Sequence, residues 1–307
     1  ARPGALSLIS PLEGRFELTQ PENEASRRAA LAAWLAHPEN PLTWRCIVNR
    51  VWHYHFGQGI CDTPNDLGRM GGIPSHPDLL DWLAIWFRDE AKGSLKALHR
   101  LIVTSAAYRQ QSASRPDAAK VDSGNRLLWR MNRLRLDAEQ YRDSLRQVSG
   151  RLDLSMGGPG VKHFVQKKGV HDTPVLDYRS YDWNRPDAMR RSIYRIVWRG
   201  IPDPFMEAMD FPNLGLLAPR RGQTISPLQS LVLFNHDFVL FHSKHLAAAM
   251  QETEPATPES VVEVYRLVYQ RTPTPDEQSE LLDYASTHGL AAMCRLLFNS
   301  NAFLFVE

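Results

Sequence analysis

The sequence lacks most of the signals by which a chain announces its chemistry. Its three cysteines, Cys46, Cys61 and Cys294, form no C-x-x-C pair. That excludes a thiolate zinc site, and the missing C-x-x-C-H excludes covalent attachment of a c-type haem to this chain. An odd count leaves at least one free thiol, so cysteine usage does not fix the redox compartment. Charge of one sign is also lacking: 36 Lys+Arg against 34 Asp+Glu leave +2. No global field therefore points to nucleic acid or to insertion at an anionic membrane. No apolar run approaches the ~20 residues that span a bilayer. The start, Ala1-Arg2-Pro3-Gly4, lacks the charged n-region and apolar stretch of a signal peptide. It reads as a piece of a longer or processed chain, which leaves location open. There is no Gly-rich phosphate loop, nucleophile elbow or H-E-x-x-H.

What is present is a globular composition. Hydrophobic residues make up 43% and charged residues 23% of 307, enough for one large domain or two ordinary ones. Residues 1–23 are rich in Pro and Gly without a period and read as an extended lead-in segment. From Glu24 the pattern is helical, stopping at His37-Pro38. Asn40-Pro41-Leu42-Thr43 then starts a helix that Gly57 ends. Residues 57–77 form a Gly/Pro-rich loop, and Ser75 and Ser94 are expected to cap the next two helices. After a polar stretch at 110–124, Asp137-x-x-Gln140 predicts a capping box for a helix ending near Gly150. Ser226-Pro227-x-Gln229, Thr257-Pro258 and Thr274-Pro275-Asp276-Glu277 repeat that logic. Residues 151–190 lose periodicity, and Ser192–Trp198 suits a short strand or a helix equally. The expectation is a mainly α fold: a single helical domain over 24–307, with lobes 24–150 and 226–307 around an irregular, short-stranded 151–225 region. Arg100–Tyr108 echoes Arg295–Phe303, with Leu233–Phe238 a weaker third copy. This reads as a recurring helix-end motif rather than a solenoid period.

Several strings carry a family resemblance. They are Asn40-Pro-Leu-Thr43, Asn49-Arg-Val-Trp-His-Tyr-His-Phe-Gly57, Thr63-Pro-Asn-Asp66, Pro74-Ser-His-Pro77, Leu95–Ser105, Asn125-Arg-Leu-Leu-Trp129, Arg135-Leu-Asp-Ala-Glu139, Arg190-Arg-Ser-Ile-Tyr194, Ser226–Asn235 and Asn299-Ser-Asn-Ala-Phe303. From about residue 24 to the end the chain resembles domain of unknown function 1553, the C-terminal domain of large planctomycete and verrucomicrobial proteins. The resemblance implies an extracytoplasmic (periplasmic or secreted) setting and neighbouring domains in the same polypeptide. One of these is a c-type cytochrome domain, so any haem c lies outside this chain. It also implies an association with polysaccharide-degrading bacteria. It supplies no activity and no catalytic residues.

Residue chemistry points to two places. On the Trp44–Phe56 helix, Arg45, Asn49, Trp52, His53 and Phe56 share a face that mixes cationic, amide and aromatic groups. The functional reading makes that face a pocket wall, with Asn49, His53, Asp66 and His76 as candidate catalytic groups and Arg45 and Trp52 as ligand contacts. The structural reading, which is favoured, has Asn49 and His53 bonding neighbouring loop backbone. No metal-ligand set is assigned: His53 and His55 diverge by about 160° on a helix, and His76 sits at a helix start beside Asp78. The second place is basic. Arg190, Arg191, Tyr194, Arg195 and Arg221, with Arg199, Arg220, Tyr178, Tyr181, Trp183 and Trp198 nearby, suit an anionic ligand. Against that, Asp177, Asp182, Asp187 and Asp210 are available to neutralise the arginines. Arg135-x-Asp137-x-Glu139 with Arg142-Asp143 could hold an acid/base pair, but it reads first as a salt-bridged helix start. The leading expectation is a binding module for an anionic polysaccharide or a partner domain. The alternatives are a hydrolase or redox enzyme on polysaccharide, and a purely structural scaffold.

Overall fold

A computed structural model of the chain describes residues 2–9, 12–170, 173–216, 218–250 and 256–306. Residues 1, 10 and 11 of the lead-in segment lie outside the described residues. The fold is mainly α, with thirteen helices among the described residues and only short strands. It divides into two compact units, one running to Leu134 and one spanning Arg135–Val306.

The first unit holds α1 (Glu24–Leu35), α2 (Pro41–Phe56), α3 (Pro77–Asp89), α4 (Leu95–Thr104) and a short α5 (Pro116–Val121). The polar stretch 110–124, which carries no apolar stripe, thus contains one brief helix opened by Pro116. The start of α2 is local chemistry. Asn40 accepts from the Leu42 and Thr43 amides through its Oδ1, at 3.1 and 3.4 Å, while Pro41 occupies a position whose amide would have no partner. Gly57 ends α2 in the left-handed region at φ 76°. The cap expected at Ser75 is not made. His76 precedes α3 without a side-chain cap, and Ser75 Oγ instead donates to the Ile60 carbonyl. Pro77 reduces the need for a cap at that end. The core is built from Val48, Trp52, Phe56, Leu80, Leu83, Phe87, Leu98 and Ile102, from α2, α3 and α4. Burying each such side chain contributes roughly 1.5–3 kcal/mol.

The second unit begins with α6 (Ala138–Val148), so this helix and the irregular region fold with the C-terminal helices. Two short antiparallel strands follow, β1 (Val165–Lys167) and β2 (Val175–Asp177), in register Val165 to Asp177 and Lys167 to Val175. Ser192–Trp198 is neither strand nor α-helix. Ser192–Tyr194 makes one 3-10 turn, after which Arg195 bridges to Val161. Then come α7 (Pro204–Ala208), α8 (Pro227–Asn235), α9 (Asp237–Met250), α10 (Pro258–Tyr269), α11 (Pro275–His288), α12 (Leu290–Phe298) and α13 (Asn301–Leu304). The expected capping boxes form at Asp137/Gln140, Ser226/Gln229, Thr257/Ser260 and Thr274/Glu277. α9 packs along α12, and Tyr141, Leu145, Phe205, Phe238, Val264, Met293 and Phe298 share the core.

The echoed helix ends have one chemistry. Ser105 Oγ donates to the Ile102 carbonyl at 2.7 Å and accepts from the Tyr108 amide at 3.2 Å. Ser300 Oγ does the same with Leu297 and Phe303, at 2.8 and 3.3 Å. One hydroxyl thus closes a helix and opens the turn that carries an aromatic residue.

Candidate functional site

On α2 the mixed face turns out to be the core face. Asn49 is fully buried; its Nδ2 donates to the Cys61 carbonyl at 2.9 Å and its Oδ1 accepts from the Cys61 amide at 2.8 Å. Both ends of the carboxamide are therefore committed to the 57–77 loop. Trp52 is buried and stacked on Phe56 with centroids 4.3 Å apart, so it is a packing residue rather than a ligand contact. Arg45 is half-buried and pairs with Asp81 at 2.6 Å. Asp66 is exposed and accepts from the Gly68 amide at 2.9 Å, a local turn bond. His76 meets Ser75 Oγ at 2.9 Å. His53 is half-buried with its ring against Tyr54. His55, pointing away from His53, meets His99 at 2.7 Å, and burial followed by that neighbour lowers its pKa. Among the described residues no three His, Cys, Asp or Glu side chains converge as a metal site. Asn49, Asp66 and His76 are thus bonded to neighbouring groups of the 57–77 loop, while His53 packs against Tyr54.

The second unit carries a cleft of about 990 Å³. One rim is polar and comes from α6 and the irregular region: Asp137, Glu139, Asp143, Arg195 and Arg221. The same lining holds apolar and aromatic side chains, among them Phe211, Tyr269 and Phe303. Two of the arginines singled out from the sequence, Arg195 and Arg221, line it. Their partners differ from those expected. Arg221 holds Glu139 bidentately at 2.6 and 2.8 Å and reaches Asp137 at 3.4 Å. Arg195 lies 3.9 Å from Asp203, and both guanidiniums flank the Phe211 ring. Asp210 pairs instead with Arg135, Asp187 with Arg185 and Asp177 with Lys167. Arg190 is not in the cleft. It donates to the carbonyls of Gly157 and Pro159, and its guanidinium sits 3.7 Å from the centroid of the Tyr194 ring. Arg191 reaches the Met156 sulfur, and Tyr194 OH accepts from the Gly157 amide at 2.8 Å. These three side chains pin the Gly157–Gly160 turn.

Two carboxyls at the cleft rim are pushed apart in pKa. Burial raises Asp137, and the adjacent Glu139 adds to this. Burial would also raise Glu139, but the Arg221 guanidinium outweighs it and holds that carboxyl below its ordinary value. The result is one carboxyl that keeps its proton more readily beside one that stays ionised.

A family model described as "PSD1: Protein of unknown function (DUF1553)" matches residues 27–285. The chain belongs to this family. No curated protein and no solved structure matches it. No helix among the described residues is long and apolar enough to cross a membrane.

In this DUF1553 chain the least anticipated group lies beneath the cleft. Arg142 and Arg146, one turn apart on α6, are both fully buried. Arg142 faces His163 at 3.1 Å and Asp203 at 3.5 Å. Arg146 bonds Asp143, Ser192 Oγ and the Ala188 carbonyl, at 3.0, 3.0 and 3.1 Å. Their guanidinium carbons lie 4.6 and 5.0 Å from the centroid of Phe238, with Trp183 also within 5.2 Å of Arg142. Trp183 and Tyr181 are therefore core residues and not parts of an exposed surface. One sequence signal was available. Arg142 and Arg146 follow Tyr141 and Leu145 directly, so they border the apolar stripe of α6 rather than its solvated side.

Proposed function

We propose that this chain is a binding module whose second unit presents its cleft to a hydroxyl-rich polysaccharide. It would act outside the cytoplasm beside a c-type cytochrome domain of the same polypeptide. The cleft lining supports that ligand class: paired carboxylates and guanidiniums sit beside apolar and aromatic side chains. Such pairs offer donors and acceptors to hydroxyls, while the apolar and aromatic side chains take a pyranose face. Because Arg221 is already held bidentately by Glu139, the cleft selects by hydroxyl geometry, and a sulfate or uronate adds little. The extracytoplasmic setting and the haem-bearing neighbour are supported by the family resemblance.

The test is calorimetric titration with neutral, uronic and sulfated oligosaccharides against the wild type, Arg221→Ala and Gln147→Ala, Gln147 of α6 being a further lining residue of the cleft. Neutral chains should bind, at least tenfold more weakly to both variants, and His53→Ala should change nothing. Binding that ignores both cleft variants sinks the reading. The Asp137–Glu139 pair favours a second reading, hydrolysis of the same ligand with Asp137 as proton donor. New reducing ends that disappear in Asp137→Asn would establish it.

A further inference from the structure

We propose that the buried arginine cluster of the second unit is a site for a small monovalent anion of the halide class, held among Arg142, Arg146, Arg195 and His163. The first argument is charge. Three guanidiniums with almost no exposed surface make direct ion pairs with only two carboxylates, and the third carboxylate acting on Arg195, Glu139, is already held bidentately by Arg221. Asp203 is divided among four groups: its Oδ2 lies 3.5 Å from Arg142 and 3.9 Å from Arg195, while its Oδ1 accepts from the Phe205 and Met206 amides. Asp143 pairs with Arg146 and also accepts from the Ser192 amide. Two carboxylates shared in this way leave the three guanidiniums short of direct counter-charge, and the Phe238, Trp183 and Phe211 faces soften the remainder. Buried charges ordinarily sit beside a counter-charge, because the loss of hydration is several kcal/mol per ion.

The second argument is the sign of what is unsatisfied. Among the described residues, Arg142 Nε, Arg146 Nη2, Arg195 Nε and His163 Nε2 are buried without a hydrogen-bond partner. The Arg142 guanidinium can only donate, so His163 Nδ1 is the acceptor in their 3.1 Å contact and the ring proton sits on Nε2. These four are therefore N–H donors that require an acceptor, and the nearby Tyr181 OH and His242 Nε2, also unpartnered among the described residues, make no hydrogen bond to them. Proximity is independently visible: Arg142 and Arg146 flank one ring, and Arg142 touches His163. Arg195 also lines a second cavity of about 300 Å³ with Asp203, Trp198 and Arg199, so two members of the cluster border open space. One water molecule accepts from at most two of these donors and brings no charge, whereas a halide accepts from several N–H groups at once and supplies a counter-charge.

The test is thermal unfolding of the whole chain in sodium chloride and in sodium isethionate of equal ionic strength, joined to bromide-soaked crystals read by anomalous scattering. The expected result is a melting temperature several degrees higher in chloride and a bromide peak within hydrogen-bond distance of the cluster. In Arg146→Met the chloride response and the peak should vanish. Should that variant fail to fold, His163→Phe keeps the ring and removes one donor, and it should weaken the response. Equal melting in both salts with no bromide peak would leave only a buried water and overturn the proposal. So would a peak that persists unchanged in Arg146→Met.

Discussion

Replacing Asn49 by Ala removes the side chain that ties α2 to the 57–77 loop. Two hydrogen bonds disappear, at 2.9 and 2.8 Å, and the Cys61 amide and carbonyl are left buried without partners. Water cannot readily replace the amide. A methyl added at Gly59 would already lie 2.4 Å from the Cys61 carbonyl and 2.9 Å from both Asn49 carboxamide atoms, so the loop is seated directly on it. Stranding a buried polar group costs about 1–3 kcal/mol, and relief from desolvating the carboxamide offsets part of the sum, leaving a net loss of about 2–4 kcal/mol. With a urea slope of roughly 1–3 kcal/mol per molar, the midpoint of the first unit should fall by about 1–2 M. Tryptophan fluorescence reads this well, since Trp52 lies in the same core. Asn49→Asp should do no better, because it keeps the acceptor but sets a carboxylate against the Cys61 carbonyl. A midpoint shift below about 0.3 M, combined with lost ligand binding or turnover, would refute the argument and return Asn49 to the list of functional groups.

The remaining predictions follow from buried histidines and from backbone geometry. Burial, then the neighbouring arginines, hold His163 and His242 far below the ordinary histidine pKa. The unfolded chain therefore binds protons near pH 6.5 that the folded chain refuses, so stability is present above that pH and is lost on acidification. Between pH 7 and pH 5 the loss should be about 2 kcal/mol for each of the two, read as urea midpoints. His163→Gln should flatten the profile by about half, and an unchanged profile would contradict the burial argument. Gly57 has φ 76°, and an added methyl would sit 2.5 Å from Leu134 Cδ2, whereas Gly150 has φ 68° with open space around it. Both Gly→Ala changes should cost about 1–2 kcal/mol for the left-handed backbone, with Gly57→Ala losing more through the added clash. Equal melting-temperature losses would show that Leu134 yields freely.

Much of the helical layout was legible because its signals are local. A cap such as Thr274 acts on the amide of Glu277 three residues away at 3.2 Å, and proline at a first turn needs no tertiary partner. Ser75 shows the limit of that logic: its hydroxyl had a competing acceptor at Ile60, fifteen residues back, and took it. The α2 face was readable as unusual but not as buried. An amide among aromatics looks the same whether it awaits a ligand or a loop, and only the position of the Cys61 backbone decides.

The amino-acid sequence by itself determined the helical class, most of the caps, the short-stranded middle and the membership of a family, since these rest on spacing and on ordered motifs. Tertiary structure alone decided which charges lie inside. Arg142 meets Asp203 across 61 positions and Glu139 meets Arg221 across 82. Whether an arginine faces solvent, a carboxylate or a buried void depends on partners that distant in the chain, and no local period encodes them.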